Sequence, residues 1–164
     1  GNIIIDNVNI NNFITKWQSN IGYVSQNIFL LDASLRENIA FGVDENKIDY
    51  NQLNRVIKYA NLDDLVKNLK DGLDTTIGEK GSKISGGQIQ RIAIARELYR
   101  NPSVLILDEA TTGLDYENEK QIFESINKLK NDMTIIIVSH NPSTISFCDK
   151  LLDLNKDNSK NHID

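Results

Sequence analysis

Two acidic residues, Asp108 and Glu109, follow directly on the apolar run Ser103–Leu107 in the second half of the sequence. In open α/β sheets, ligands bind at the carboxyl ends of the strands, and two acids there are costly unless a cation or a water uses them. The first acid could hold Mg²⁺ through water, and the second could orient and deprotonate an attacking water. The alternative is a pair of solvated acids in a loop, but the apolar run before them favours a site.

A second candidate is the turn Ser85-Gly86-Gly87-Gln88, which precedes apolar residues at helical spacing. Glycines let backbone N–H groups approach a phosphate, the helix dipole adds positive potential, and the Ser85 hydroxyl adds a donor. The spacing of Ser85 and Gln88 is also that of a capping box, which closes a helix start and needs no ligand. On spacing alone the capping box is favoured, and the anion site is the alternative.

Two further polar residues, His140 and Gln26, come just after apolar runs, at 134–138 and 21–24. If the strand before His140 lies close to the strand before Asp108, the two strand ends are neighbours, and His140 could donate to a terminal phosphate. Taken singly, a histidine at a strand end is more often packed or solvated. A glutamine in a turn is more often an exposed amide. Only the joint occurrence of all these positions indicates a phosphate site.

The elements that must position these residues predict an α/β fold. The runs 103–107 and 134–138 are unbroken, which fits parallel strands that are covered on both faces. Between them lies an apolar stripe at helical spacing, so strand, helix and strand form a crossover unit. That stripe consists of Ile122, Phe123, Ile126 and Leu129. A further strand is predicted over Lys150–Leu154.

The first half predicts short strands followed by a helical insertion. Residues 3–5 and 8–10 are predicted strands joined by a tight turn at Asp6-Asn7. Ser34 and Glu37 have capping-box spacing before a short helix. Two more helical stretches are predicted from apolar spacing, at Leu53, Val56, Ile57 and Ala60 and at Leu65, Val66 and Leu69. Residues 34–75 are therefore predicted to be mostly helical and without a strand.

Composition limits the class of protein. The chain has 164 residues, 18 Lys plus Arg against 23 Asp plus Glu for a net charge of −5, and the single cysteine Cys148. One cysteine excludes a disulfide framework within the chain. No apolar run approaches the roughly 20 residues that span a bilayer. An acidic balance without blocks of like charge argues against a general nucleic-acid binder. We expect a domain, or most of one, in a reducing cytosolic compartment.

The motifs in this order resemble the nucleotide-binding domain of ABC transporters, in the exporter-type branch, from Gly1 to about Leu154. Ile84–Gln88 is similar to the signature motif, and residues 104–109 are similar to Walker B with its acidic residue. Three shorter matches are the D-loop at Thr112–Asp115, the Q-loop strand at 21–26 and the switch histidine at Ser139-His140. Two exporter-type stretches also match, Glu37–Gly42 and Thr76–Gly81. The resemblance implies a P-loop NTPase-like parallel sheet with an inserted helical subdomain at about 34–100 and a polar, disordered tail at 155–164.

The string GxxxxGK followed by Ser or Thr, which cradles the phosphates of ATP in this family, does not occur in the sequence. The resemblance therefore implies a partial domain, with 1–154 as its C-terminal part and the Walker A segment absent. The isolated chain is then expected to be inactive as an ATPase. Smaller departures are Asn7 for a usual Gly, Gly113 for a common Ala and Asn141 for a frequent Arg.

Carried over residue by residue, the resemblance implies ATP and Mg²⁺ as cofactors. Asp108 would bind Mg²⁺ through water, Glu109 would be the general base, and His140 and Gln26 would sense the γ-phosphate, with Gln26 also near the metal. The residues Ser85, Gly86, Gly87 and Gln88 would contact ATP held by a partner domain. Asp115 would cross the dimer interface, although its position also suits a helix N-cap.

The implied function is ATP binding and hydrolysis that powers an exporter. The implied partners are a second ATPase domain in a head-to-tail dimer and the transmembrane domain of the transporter, at the cytoplasmic face of the cell membrane; no nucleic acid is expected. One alternative is a non-transport ABC ATPase in DNA repair or translation, against which the two exporter-type stretches argue. The other is a degenerate module that only dimerises or regulates. Intact Glu109 and His140 argue against it, and the missing P-loop argues for it.

Overall fold

The sheet that carries the candidate residues has three parallel strands. A computed structural model describes residues 1–79, 83–110 and 116–153. In it, β3 (Ile21–Val24), β6 (Val104–Asp108) and β7 (Thr134–Val138) lie in the order β3-β6-β7. Their register places Val24 beside Leu107 and Leu107 beside Ile137. The predicted α/β class and the parallel arrangement are confirmed, and all three carboxyl ends lie at one edge of the sheet.

The remaining elements were partly predicted. β1 (Ile4–Ile5) and β2 (Val8–Asn9) form an antiparallel hairpin, and its turn residues Asp6 and Asn7 have φ of 48° and 63°. This turn confirms the prediction. The helices are α1 (Ile14–Ser19), α2 (Leu35–Ile39), α3 (Tyr50–Tyr59), α4 (Asp63–Asn68), α5 (Gly86–Tyr99), α6 (Tyr116–Asn127) and α7 (Pro142–Ile145), with 3₁₀ turns at Ile10–Asn12, Glu45–Lys47 and Gly72–Asp74.

One small sheet was missed. β4 (Ala33–Ser34) pairs antiparallel with β5 (Thr76–Ile77), so Ser34 belongs to a strand at the boundary of the predicted helical stretch. Two residues per strand are too few to show a period-2 pattern. The pair closes the helical insertion at its two ends, and residues 35–75 between them are helical or irregular, as predicted.

Two strand predictions were wrong in part. β6 is largely buried, but β7 is not covered on both faces, because Ile136 and Val138 remain 45% and 49% exposed. β7 borders an open groove of about 880 Å³ within the described part of the chain, and an apolar run cannot reveal whether a covering layer is present. The predicted strand at 150–154 does not form over its described residues 150–153, where two exposed leucines are flanked by charged residues.

The core lies between the helices of the insertion and one face of the sheet. α5 runs through it and packs on α2, α3 and β3. Fully buried side chains from both halves of the chain form one cluster, including Leu35, Ile39, Leu53, Ile92, Ile94, Leu105, Leu107, Ile122 and Ile126. This continuous core holds the helical insertion against the strands that carry the acids.

Asn38 of α2 is a fully buried polar residue that joins several backbone segments. Its Nδ2 donates to the carbonyl oxygens of Leu31 and Ser34 at 3.0 and 3.1 Å, and its Oδ1 accepts the backbone N–H of Leu31 at 2.9 Å. The Arg96 guanidinium adds a bond to the same Oδ1 at 3.2 Å. Asn38 therefore fixes the segment that connects β3 to the helical insertion.

We expect Asn38→Ala to lower the free energy of unfolding by about 2 kcal/mol, because it leaves the buried carbonyl of Ser34 and the partly buried backbone groups of Leu31 without their partner. The loss should occur although Ala is the better helix former. Urea unfolding of the full-length protein measures it, with Asn54→Ala on the exposed face of α3 as the matched control. Equal midpoints for the two variants would contradict this role of Asn38.

Candidate functional site

The candidate residues of the sheet lie together at its carboxyl edge. Gln26 follows β3 by two residues, Asp108 ends β6, Glu109 comes next, and His140 follows β7 by two residues. Because the strands are parallel and adjacent, their ends bring these side chains to one place. The predicted proximity of His140 to the acids is confirmed.

Glu109 is the centre of this group. Its Oε2 accepts a hydrogen bond from Gln26 Nε2 at 3.2 Å, and its Oε1 lies 3.0 Å from His140 Nδ1. A carboxylate can only accept, so Nδ1 carries the proton in this contact. The backbone of Glu109 has a φ of +49°, and its N–H donates to Val138 O at 2.9 Å. This left-handed conformation is uncommon for a glutamate and turns its side chain toward the ends of both neighbouring strands.

Asp108 has a partner that sequence analysis missed. The Tyr23 hydroxyl donates to Asp108 Oδ2 at 2.7 Å. Tyr23 is the register partner of Ile106, and Asp108 is two residues further along the same face of β6, so the contact is a diagonal cross-strand pair. The hydrogen bond to Asp108 raises the pKa of the Tyr23 hydroxyl above its ordinary value. Only the strand register could have revealed this pair.

The oxygens of Asp108 and Gln26 fit the ligand preference of Mg²⁺. Mg²⁺ is usually bound by one or two carboxylates together with substrate phosphates and waters. Asp108 offers Oδ1 beside the oxygen that Tyr23 occupies, and Gln26 can offer its Oε1 because its Nε2 is the atom bonded to Glu109. Over the described residues no group of three or more His, Cys, Asp or Glu side chains comes together.

The turn at Ser85 is a capped helix start. Ser85 Oγ accepts from Gln88 N at 3.3 Å, and Gln88 Oε1 accepts from Ser85 N at 2.9 Å, so the capping box is formed. A Cβ placed on Gly86 would meet no atom within 4 Å.

The opposite end of α5 contacts the sheet, where Glu97 Oε2 accepts the Tyr23 N–H at 3.3 Å. Burial raises the pKa of Glu97. Ser85 and Glu97 are about 18 Å apart along α5, at 1.5 Å per residue. Among the described residues, no hydrogen bond or ion pair joins Ser85, Gly86, Gly87 or Gln88 to Glu109.

Some predicted positions fall outside the described residues. Asp115 and the rest of the stretch 112–115 are among them. Lys80 and Gly81 of the stretch at 76–81 and the tail at 155–164 are also outside.

Comparison with known proteins identifies the family. The family model described as ABC transporter matches residues 1–112. This chain belongs to the ABC transporter family. Its homologues and its fold are those of an ABC transporter nucleotide-binding domain, with a P-loop NTPase-like α/β architecture. ATP binding and ATPase activity are general properties of that domain family.

Individual relatives agree with this assignment. The chain is 43% identical over 154 residues to an uncharacterised ABC transporter ATP-binding protein of Bacillus subtilis, covering 93% of the chain and 26% of the relative. It is 40% identical over 157 residues to a multidrug resistance ABC transporter ATP-binding and permease protein of Lactococcus lactis, covering 95% and 26%. The chain thus spans about a quarter of the length of these relatives.

A solved structure shows the same fold. A bacterial Atm1-family ABC exporter with ATP bound superimposes with a TM-score of 0.79 at 36% identity, over 88% of this chain and 25% of that one. No helix within the described residues of this ABC chain is long and apolar enough to cross a membrane.

Proposed function

We propose that this chain contributes the residues that hydrolyse ATP in an ABC exporter. They lie at the carboxyl edge of the sheet, and Glu109 is the general base. The observation that carries the proposal is the convergence of Gln26 and His140 on the two oxygens of Glu109, at 3.2 and 3.0 Å. Each carboxylate oxygen has room for two hydrogen bonds. Glu109 can therefore keep both contacts and still accept a proton from an attacking water.

The neighbouring groups are proposed to bind the phosphates and the metal. His140 uses Nδ1 toward Glu109, and its side chain is 74% exposed, so Nε2 is the nitrogen that reaches a γ-phosphate. Asp108 and Gln26 would hold Mg²⁺, Asp108 through water. When bound, the ion neutralises charge on the phosphate oxygens. Tyr23 orients Asp108 for this purpose through its hydroxyl.

The turn from Ser85 to Gln88 is proposed to act on ATP that a second domain holds. The open space at Gly86 supports this role, because it gives a phosphate access to the backbone N–H groups at the start of α5. A head-to-tail dimer brings such a turn to the partner's nucleotide. Asp115 is proposed to lie in the same dimer interface.

Export is proposed from the names of the relatives. They include a multidrug resistance ATP-binding and permease protein and an ATP-dependent lipid A-core flippase of Ralstonia nicotianae, 43% identical over 82% of the chain. These names favour an exporter over an ABC ATPase of DNA repair or translation. The transmembrane domain of the transporter would be the second partner, and the ATPase domain would lie at the cytoplasmic face of the membrane.

We expect a cysteine at Glu79 to cross-link to a cytoplasmic loop of the transmembrane domain. Glu79 is exposed, and it follows Gly78, where a φ of +107° and the nearness of Leu31 O and Asp32 leave no room for a Cβ and require glycine. Glu79→Cys is made in full-length protein in membranes with Cys148→Ala as background, and the cross-link yield is measured with and without ATP. We expect the yield to change with ATP.

Lys67→Cys, on exposed α4, is the matched control and should give no such product. A cross-link from Glu79→Cys to a soluble partner instead would overturn the exporter assignment and leave the ATPase assignment intact.

A further inference from the structure

Glu119 of α6 is a buried carboxylate that receives hydrogen bonds from the loop carrying His140. The residue is only 4% exposed. Asn141 Nδ2 donates to its Oε1 and Oε2 at 3.3 and 3.2 Å, and Thr144 Oγ1 donates to its Oε1 at 3.3 Å. A buried carboxylate is costly unless donors satisfy it, and bonds to a charged acceptor are the stronger kind. The loop after β7 is therefore bound to α6 through one buried acid.

The same loop is closed on itself around His140. Asn141 N donates to Ser139 Oγ at 3.0 Å, and the hydroxyls of Ser139 and Thr144 lie 3.1 Å apart. The residues on both sides of His140 are thus fixed, while the His140 side chain itself is mostly exposed and bonds to Glu109. The position of the imidazole accordingly depends on where the loop backbone is held.

We propose that Glu119 is a positioning residue that, through Asn141 and Thr144, holds His140 at bonding distance from Glu109; this rests on the proposed function of the site. A shift of the loop by about 1 Å would break a contact of 3.0 Å, and misplacement of that size costs up to about 100-fold in rate in enzymes.

The sequence pattern of α6 is consistent with this role of Glu119. Glu119 lies three residues before Ile122 and four before Phe123, on the apolar stripe of α6, where a charged residue is buried.

The test is the variant Glu119→Met in the full-length protein. A thioether is only a weak acceptor, so the hydrogen bonds from Asn141 Nδ2 and Thr144 Oγ1 are lost and the loop is released from α6. We expect kcat for ATP hydrolysis to fall about 10- to 100-fold, as for supporting residues of other sites, with ATP affinity unchanged. Glu119→Gln keeps an amide oxygen, and the Asn141 amide can rotate to accept from the new N–H₂ group, so this conservative variant should keep most of the parent kcat.

Glu124→Met, on the exposed side of the same helix, is the matched control and should keep the parent kcat. His140→Ala is measured in parallel. If His140→Ala hydrolyses ATP at the parent rate, the proposed function fails. If His140→Ala is inactive but Glu119→Met is fully active, only the positioning role fails.

The urea midpoint of Glu119→Met separates a folding defect from a loss of positioning. We expect this midpoint to stay near that of the parent, because Asn141 is exposed and can bond to water, and the Thr144 hydroxyl can still bond to Ser139 Oγ. A loss of kcat only in variants with a lowered midpoint, with no higher kcat in Glu119→Gln than in Glu119→Met, would mean that Glu119 acts on stability alone and would overturn the proposal.

Discussion

Replacing Glu109 by Gln should reduce ATP hydrolysis at least about 10²- to 10⁴-fold while ATP binding persists, because an amide cannot accept the proton of the attacking water. The geometry of the site should survive the change. The amide of the variant can still accept from His140, and the Gln26 amide can rotate so that its oxygen faces the new N–H₂ group. With binding intact and hydrolysis slow, ATP should hold the two domains together.

The measurement is steady-state phosphate release and ATP binding by full-length protein, with Glu124→Gln as the exposed-acid control. His140→Ala should also lose hydrolysis, since it removes the group bonded to Glu109 Oε1. Hydrolysis by Glu109→Gln at near the parent rate would make Glu109 a solvated acid at a strand end, which is the alternative that the sequence alone left open.

The sequence predicted which residues meet at the sheet edge, because parallel neighbouring strands bring the residues that follow each strand to the same edge. Two unbroken apolar runs, each followed by polar residues, are enough to place Glu109 near His140 once the strands are adjacent. The distances and the left-handed backbone of Glu109 were not predictable, since they follow from how the chain leaves β6 and bonds to Val138 O.

The contacts that support the site depend on strand register and on burial. Neither can be predicted from the type of a single residue. Tyr23 faces Asp108 because of a pairing between β3 and β6 that no sequence pattern specifies. Glu119 was recognisable in principle from its position on an apolar stripe. The prediction that β7 is covered on both faces was wrong, because hydrophobic residues in a strand do not ensure that another layer packs on it.

The geometry of the turn at Ser85 is compatible with two functions, a helix cap and a site for a phosphate. The capping box accounts for the hydrogen bonds of Ser85 and Gln88 to each other. It does not account for Gly86 and Gly87, because a helix start does not require two glycines in its first turn. A substitution that keeps the cap and blocks only the approach of an anion separates the two.

Gly86→Asp is that substitution. A Cβ at Gly86 meets no atom within 4 Å, so the fold should accept it, and a carboxylate in the first turn is compatible with the helix dipole. The new negative charge would occupy the place of a phosphate and repel it. We expect the nucleotide affinity of the domain's own site to survive and closure of the dimer to be lost, whereas Glu109→Gln keeps closure. ATP hydrolysis should fall to a similar extent in both variants.

The control is Gly86→Ala, which adds a methyl group without charge and should retain most of the activity. ATP binding by the monomeric variant, ATP-dependent dimerisation and hydrolysis are measured on the same protein preparations. If Gly86→Asp binds ATP normally but neither dimerises nor hydrolyses, the turn acts on the partner's nucleotide. Loss of ATP binding by the folded monomer would place Ser85 and the glycines in the domain's own site. Full activity of Gly86→Asp would leave the turn with only its capping role.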